Sequence, residues 1–186
     1  MILEYSDVEL FYELWFPLLD FVNRKSHVCP ETEIIDPEEG VDPSVAKAIA
    51  DYLWTHIEVL EEYLAVAELP EEYAQIVAGW KRCKPGRYIM ERHLKKGSVF
   101  ISAEDGAVYM VKGLFSTWEE MLGEAPVLLD AVLIPFRDSI ISDGLVMPYQ
   151  IYFGKGARAV NSRSIATCVR RFSHTGPDWS HTRSGG

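Results

Sequence analysis

The sequence predicts an α+β fold in which a helical N-terminal part packs with a mainly antiparallel β-sheet and a C-terminal helix closes the sheet. Two observations carry this prediction. Apolar residues recur at helical spacing over residues 1–84, and over residues 85–153 they form short runs rich in β-branched and aromatic side chains, separated by glycine turns. Helical spacing returns over residues 157–172, and a polar tail follows over residues 173–186. We therefore expect a helical part over residues 1–84, a sheet with a short helix and the terminal helix over residues 85–172, and a flexible tail.

The first helix is expected near Ser6. The segment Ser6–Glu9 has the residue pattern of a capping box, and an apolar stripe at helical spacing follows it. Pro17 lies within that stripe, where its ring and its missing N–H are expected to bend or split the helix. Residues 27–42 contain six acidic residues and two prolines without periodicity, so they are expected to form a loop.

Two more helices are expected in the N-terminal part. Asp42 is a favourable N-cap, Pro43 suits the first helical position, and a long apolar stripe then extends to Leu64. Leu69-Pro-Glu-Glu72 starts the next helix in the same way, and Lys84-Pro-Gly-Arg87 is expected to end it. The first part of the chain is therefore predicted to be mostly helical.

The second part carries the turn signals of an antiparallel sheet. Lys96-Gly97 and Asp105-Gly106 separate three apolar runs and predict a three-stranded meander. The segment Ser116–Glu119 has the pattern of a second capping box, and Gly123 is expected to end the short helix that follows. A long strand over Val127–Phe136 then leads through an Arg137-Asp-Ser139 turn into shorter strands.

Charge is distributed unevenly along the chain. The net charge is −10, yet residues 155–186 carry six basic residues against one aspartate, which leaves −15 for residues 1–154. An acidic body repels phosphate backbones over about a Debye length, so we expect no nucleic-acid partner. No apolar stretch reaches the roughly 18 residues of a membrane helix, and no signal-peptide pattern is visible, so we expect no membrane partner and a cytoplasmic location.

Metal and cofactor chemistry has no clear pattern in the sequence. The three cysteines lie far apart without a C-x-x-C pair, whereas structural zinc normally takes four ligands in two close pairs. The sequence contains neither a dinucleotide fingerprint nor a P-loop. We therefore expect no metal site and no cofactor.

One candidate site is the corner Gly154-Lys-Gly156 before the predicted terminal helix. Glycines let a backbone approach a ligand closely, and the free N–H groups of the first helical turn, with Lys155 and Arg158, would favour a phosphate or a carboxylate. The alternative is that Gly154 and Gly156 only supply positive φ angles between a strand and a helix.

Two titratable residues are candidates for acid/base chemistry. Strand alternation puts His93 on the same face as Glu91, whose carboxylate would orient the imidazole as a general base; the alternative is a strand edge with solvated charges. Asp143 is flanked by apolar strand residues, so burial would perturb its pKa, as at many functional sites. The alternative is an Asp143-Gly144 turn in which the side chain bonds to its own backbone.

Five segments together resemble a bacterial family of uncharacterised proteins. They are Arg92-His-Leu-Lys-Lys96, Val111-Lys-Gly-Leu114, Leu133-Ile-Pro-Phe136, Ile140-Ile-Ser-Asp-Gly144 and Phe153-Gly-Lys-Gly156. The resemblance covers about half of the chain and implies no activity.

These observations favour a cytoplasmic binding or interaction module whose target is a protein partner, a second copy of the chain or a small anionic ligand. No nucleophile–base pair, metal cluster or cofactor fingerprint stands out. The alternative is an enzyme acting on a small phosphorylated or carboxylated substrate, with His93 or Asp143 as acid/base and residues 154–158 holding the anion. The enzyme would require His93, Asp143 and the Gly156 amide to face one cavity.

Overall fold

The computed structural model describes residues 1–30 and 41–149. Its helices are α1 (Tyr5–Ser26), α2 (Pro43–Thr55), α3 (Glu58–Val66), α4 (Glu71–Gly79) and α5 (Trp118–Leu122). Its strands are β1 (Lys84–Leu94), β2 (Gly97–Ser102), β3 (Val108–Val111), β4 (Val127–Phe136), β5 (Ser139–Ser142) and β6 (Met147–Tyr149). The predicted α+β class is confirmed. The predicted closing helix over residues 157–172, the tail over residues 173–186 and the corner Gly154–Arg158 lie outside the described residues.

Helix α1 is continuous through Pro17. The predicted split is wrong because Pro17 and Glu13, the residue whose carbonyl loses its partner, both lie on the exposed side, where water can satisfy that carbonyl. The predicted capping box is also wrong, since the N-cap is Glu4 without a side-chain bond and Ser6 already lies inside the helix. Among the helices of residues 1–30 and 41–149, none combines the length and the apolar composition that a membrane span requires.

The predicted long helix after Asp42 is two helices. Its start is confirmed, because the Asp42 side chain accepts a hydrogen bond from the Ser44 N–H at 2.8 Å. Helix α2 ends at Thr55. The next residue, His56, leaves helical geometry with φ −126° and ψ 61°, and its ring nitrogen lies 3.0 Å from the Tyr52 carbonyl oxygen. The apolar stripe continues through this break, so hydrophobic periodicity alone did not reveal it.

Strand β1 begins earlier than the sequence predicts. A 3₁₀ turn over Trp80–Arg82 follows α4, and Lys84 already pairs with Leu133 of β4. The prediction that Lys84–Arg87 ends a helix is therefore wrong: the segment forms the start of a strand, because each of its residues, Pro85 and Gly86 included, has a partner on β4.

The sheet closes into a small barrel. Among the described residues, the strand order is β1-β2-β3-β5-β4, and β4 returns to pair with β1. The β3–β5 pairing is parallel, whereas the other pairings are antiparallel. With α5 placed between β3 and β4, this is the connectivity of the five-stranded OB barrel. Strand β6 adds to β4 beside β5, so the predicted mainly antiparallel sheet is confirmed and is also closed.

Strand β4 separates two hydrophobic cores. Its residues Leu129, Ala131 and Leu133 point into the barrel, and Val132, Ile134 and Phe136 pack against the helices. The barrel core also contains the following side chains: Tyr88, Met90, Phe100, Val111 and Trp118. The alternation of one strand therefore joins the barrel to the helical layer.

Helix α5 closes one end of the barrel. Trp118 is buried, and its ring lies edge-on to Phe100 with centroids 5.0 Å apart. The predicted capping box lies one residue later than expected: the Thr117 hydroxyl accepts from the Glu120 N–H, and the Glu120 carboxylate accepts from the Thr117 N–H. Gly123 ends the helix with φ 76°, as predicted.

Candidate functional site

His93 lies at the end of β1, where it joins the β1–β2 hairpin to helix α5. Its Nε2 is 3.1 Å from the Gly123 carbonyl oxygen, and its Nδ1 is 2.8 Å from the Ser98 hydroxyl. A carbonyl oxygen only accepts, so Nε2 carries a proton and donates it to Gly123, while Nδ1 and the Ser98 hydroxyl share the second hydrogen bond. Both ring nitrogens are therefore engaged in contacts that hold the fold together.

Glu91 does not orient His93. A β-bulge between Met90 and Arg92 shifts the register, so that Arg92 pairs with Val99 and His93 pairs with Ser98. The Glu91 carboxylate instead accepts from the Arg92 guanidinium at 2.7 Å. The expected carboxylate–imidazole pair is thus wrong, because strand alternation does not continue across a bulge.

Asp143 is buried between the barrel and the helices. Its Oδ2 accepts from the Trp54 indole N–H of α2 at 3.0 Å, and its Oδ1 accepts from the Leu145 N–H at 3.1 Å. The Ser142 hydroxyl lies 3.3 Å from Oδ1. The predicted turn at Asp143-Gly144 is present, and the same carboxyl group also binds a tryptophan from the other layer.

Burial dominates the electrostatics around Asp143. Desolvation raises the pKa of Asp143, while the hydrogen bonds from Trp54 and Leu145 and the attraction of Lys47 oppose that rise. Burial, with a smaller contribution from Asp143, raises the pKa of Cys83 to about 12. The same two causes raise the pKa of Tyr12. At neutral pH the Cys83 side chain is therefore a thiol rather than a nucleophilic thiolate.

The structure does not bring His93 and Asp143 into one centre. Ser142, next to Asp143, pairs with Leu133, which in turn pairs with Lys84. His93 lies at the far end of β1, about 30 Å from Lys84 along an extended strand at roughly 3.3 Å per residue. His93 contacts the end of α5, whereas Asp143 contacts α2.

The remaining predicted site residues lie outside the described residues. Gly154, Lys155, Gly156 and Arg158 of the anion-binding candidate belong to the part of the chain that is not described. Within residues 1–30 and 41–149, no three His, Cys, Asp or Glu side chains group together as metal ligands.

A polar cluster fixes strand β6 to the barrel. The Arg87 guanidinium donates to the Asp130 carboxylate at 2.8 Å and to the Tyr149 hydroxyl at 2.5 Å, and its Cζ lies 4.6 Å from the centroid of the Tyr149 ring. The Tyr149 hydroxyl in turn donates to Asp130. Each group is satisfied by the other two, so this cluster explains how a strand of three residues is held in place.

The outer face of β2 and β3 is apolar. Ile101 pairs with Val108 and Val99 pairs with Met110, so these side chains alternate with the barrel residues Phe100 and Tyr109. The exposed fraction is 64% for Val108 and 38% for Met110, while Ile101 is partly buried and Val99 is buried. We define Val99, Ile101, Val108 and Met110 as the apolar face.

The sequence contained a signal for the apolar face. An antiparallel sheet with one solvated side alternates apolar and polar residues, but Val99-Phe-Ile101 and Val108-Tyr-Met-Val111 are apolar at both parities. Such runs indicate a strand with apolar side chains on both sides. Which of the two sides stays exposed depends on the closure of the barrel, and the sequence did not reveal that closure.

The two ends of the apolar face carry opposite charges. Lys95 and Lys96 form the exposed β1–β2 turn at one end. Glu104 and Asp105 lie in the exposed β2–β3 loop at the other end, where hydrogen bonds from Ser102 and the Ala107 N–H, with a smaller attraction from Lys84, lower the pKa of Asp105. The apolar face therefore has a cationic end and an anionic end.

Comparison of the chain with protein-family models, curated proteins and solved structures found no match. The resemblance of residues 92–156 to a bacterial family stays a prediction.

Proposed function

We propose that this protein is an interaction module that binds a polypeptide segment on its apolar face. The observation that carries the proposal is the exposure of Val108 and Met110 on a strand whose cross-strand neighbours, Ile101 and Val99, are also apolar. Contiguous apolar surface is costly to leave in water, and it marks sites of interaction.

The position of the face within the barrel supports this proposal. In OB barrels, the outer face of the second and third strands and the loop after the first strand form the ligand-binding side. The apolar face and the Lys95-Lys96 turn occupy those positions here. The correspondence with OB barrels is one of fold alone, and the chemistry of the side chains decides the class of ligand.

That chemistry favours a polypeptide over a nucleic acid. Single-stranded nucleic acids bind along a continuous positive groove with aromatic rings on which the bases stack. The apolar face has aliphatic and thioether side chains, and the carboxylates of Glu104 and Asp105 at one end would repel a phosphate backbone. An extended segment with apolar residues between one cationic and one anionic residue would complement the apolar face and its two charged ends.

A random peptide library tests the proposal without a known partner. The full chain is used for selection, and each enriched peptide is then titrated against the wild type and against the double variant Val108→Thr/Met110→Thr. Threonine keeps a high strand propensity and removes apolar surface, so we expect binding to weaken at least tenfold, or by about 1.4 kcal/mol.

Val66→Thr is the matched control. The exposed fraction of Val66 is 66%, close to the 64% of Val108, but Val66 lies at the end of α3 in the helical layer. Peptides should bind this variant as tightly as the wild type. Enriched peptides that bind the Val108→Thr/Met110→Thr variant undiminished, or a selection that enriches none, would contradict the proposal.

A further inference from the structure

The charge pattern of the apolar face is self-complementary. Strand β2 runs from the cationic turn Lys95-Lys96 to the anionic loop Glu104-Asp105, and β3 runs back. If two copies of this face are packed together around a two-fold axis with their β2 strands antiparallel, each cationic turn lies opposite the anionic loop of the other copy. The same rotation places Val108 and Met110 of one copy against the apolar face of the other.

We propose that the apolar face binds the same face of a second copy of this chain. This inference rests on the proposed function and names the partner. An isologous contact of this kind buries both exposed side chains of each copy and forms two sets of opposite charges, one at each end.

Edge-to-edge pairing is hindered at strand β6. Strand β6 pairs with β4 on one side and lies outside the ring of strands that closes the barrel. Its central residue is Pro148, which has no N–H to donate and so hinders the addition of a further strand. The outer face of β2 and β3 is therefore a better route to association than the edge of β6.

The electrostatics set the strength that we expect. Each chain carries a net charge of −10, which opposes the approach of two copies. Exposed opposite charges add little energy, but they fix the orientation in which two faces meet. Together with the small number of apolar side chains, this predicts a transient dimer rather than a permanent one.

Charge reversal at the two ends tests the inference by sedimentation velocity over a concentration series. Lys95→Glu/Lys96→Glu makes both ends of the face anionic. Glu104→Lys/Asp105→Asn makes both ends cationic, and the asparagine keeps the oxygen that accepts from the Ala107 N–H. The wild type and Val66→Thr should sediment as a monomer–dimer equilibrium, each charge variant alone as a monomer, and an equimolar mixture of the two charge variants as a heterodimer.

The apolar part of the face is tested in the same experiment, because Val108→Thr/Met110→Thr should sediment as a monomer. A wild type that is monomeric at every concentration, a threonine variant that dimerises like the wild type, or a mixture of charge variants that stays monomeric would overturn the inference. If the wild type is monomeric while selected peptides still require Val108 and Met110, the proposed function stands and its partner is another protein.

Discussion

Asp143 shows what a buried carboxyl group does at the boundary between two layers. Both of its oxygens accept N–H hydrogen bonds, one from the indole of α2 and one from its own turn. The titratable groups that act on it are Lys47 from α2, Tyr12 from α1 and Cys83 before β1. If the group is protonated on Oδ1, the proton can point to the Ser142 hydroxyl, so that the bond from Trp54 to Oδ2 is kept.

The pH dependence of stability should report this burial. The pKa of Asp143 is raised in the folded protein above the 3.8 of an unperturbed aspartate. As the pH rises, the Asp143 carboxyl group therefore loses its proton at a lower pH in the unfolded chain than in the folded protein. The stability that protonated Asp143 contributes is fully present below pH 3.8 and is lost as the pH rises through its folded pKa.

The measurement is the free energy of unfolding by urea, for the wild type and for Asp143→Asn, between pH 4 and pH 8. The difference in favour of the wild type should shrink as the pH rises, because asparagine does not titrate. In the wild type alone, the Trp54 indole N–H resonance should titrate with a midpoint above pH 3.8. A difference that is constant with pH would show that burial does not raise this pKa.

Residue chemistry was only partly predictable from the sequence. The Asp143-Gly144 turn follows from local turn preferences, but Trp54 lies 89 positions away and no spacing rule connects the two. For His93 the alternation rule failed at a bulge, and bulges leave no clear mark in a sequence of this composition. Long-range partners decide what both side chains do.

At the scale of elements, the segment between β3 and α5 is constrained most tightly. Gly113 makes a parallel bridge with Ile2, accepting from the Leu3 N–H and donating to the Met1 carbonyl. A Cβ at position 113 would lie 2.0 Å from the Ser116 carbonyl oxygen, which is backbone and cannot rotate away. The segment can therefore take this path only with glycine at position 113.

Gly113→Ala should destabilise the protein by about 1–3 kcal/mol, because the backbone must shift to make room for the methyl group. Gly79→Ala is the matched control, since the nearest atom to its Cβ is the end of the Arg82 side chain at 3.5 Å. Helical propensity makes that second change neutral or stabilising by up to about 1 kcal/mol. The urea midpoints of both variants check this expectation, and equal midpoints would contradict it.

Element types were more predictable than element ends. Apart from the early start of β1, runs of apolar residues and turn dipeptides predicted the strands of the meander and the long strand β4, because hydrophobic period is a local property. The capping box predicted at Ser6 is absent, the second one lies one residue later than predicted, and the apolar stripe after Asp42 gave no sign of the break at His56. Caps and breaks depend on single hydrogen bonds that a repeating apolar pattern does not encode.

At the scale of the whole molecule, the helices and the barrel share their boundary. One side of β4 completes the helical core and the other side completes the barrel. The β4–β5 turn is also tied to the helices, because Arg137 pairs with Asp7 of α1 and Glu72 of α4. The helical part over residues 1–84 and the sheet after it therefore pack as two layers of one structure in the described residues.

The closure of the barrel is what the sequence could not supply. It depends on a short parallel pairing of Val111 with Ile140 and on the return of β4 to β1, both between residues far apart in the chain. Closure turns one side of every barrel strand into core, and β4 is covered on its other side by helices. Only then does the outer side of β2 and β3 emerge as exposed apolar surface.

The central claim is that this surface binds a polypeptide. The most direct measurement is a titration of isotopically labelled full-length protein with a peptide enriched by selection, followed by NMR. We predict that the resonances of Val99, Ile101, Val108 and Met110 shift in proportion to binding, while those of Val66 stay in place. Shifts confined to the helices, with the apolar face unchanged, would contradict the account.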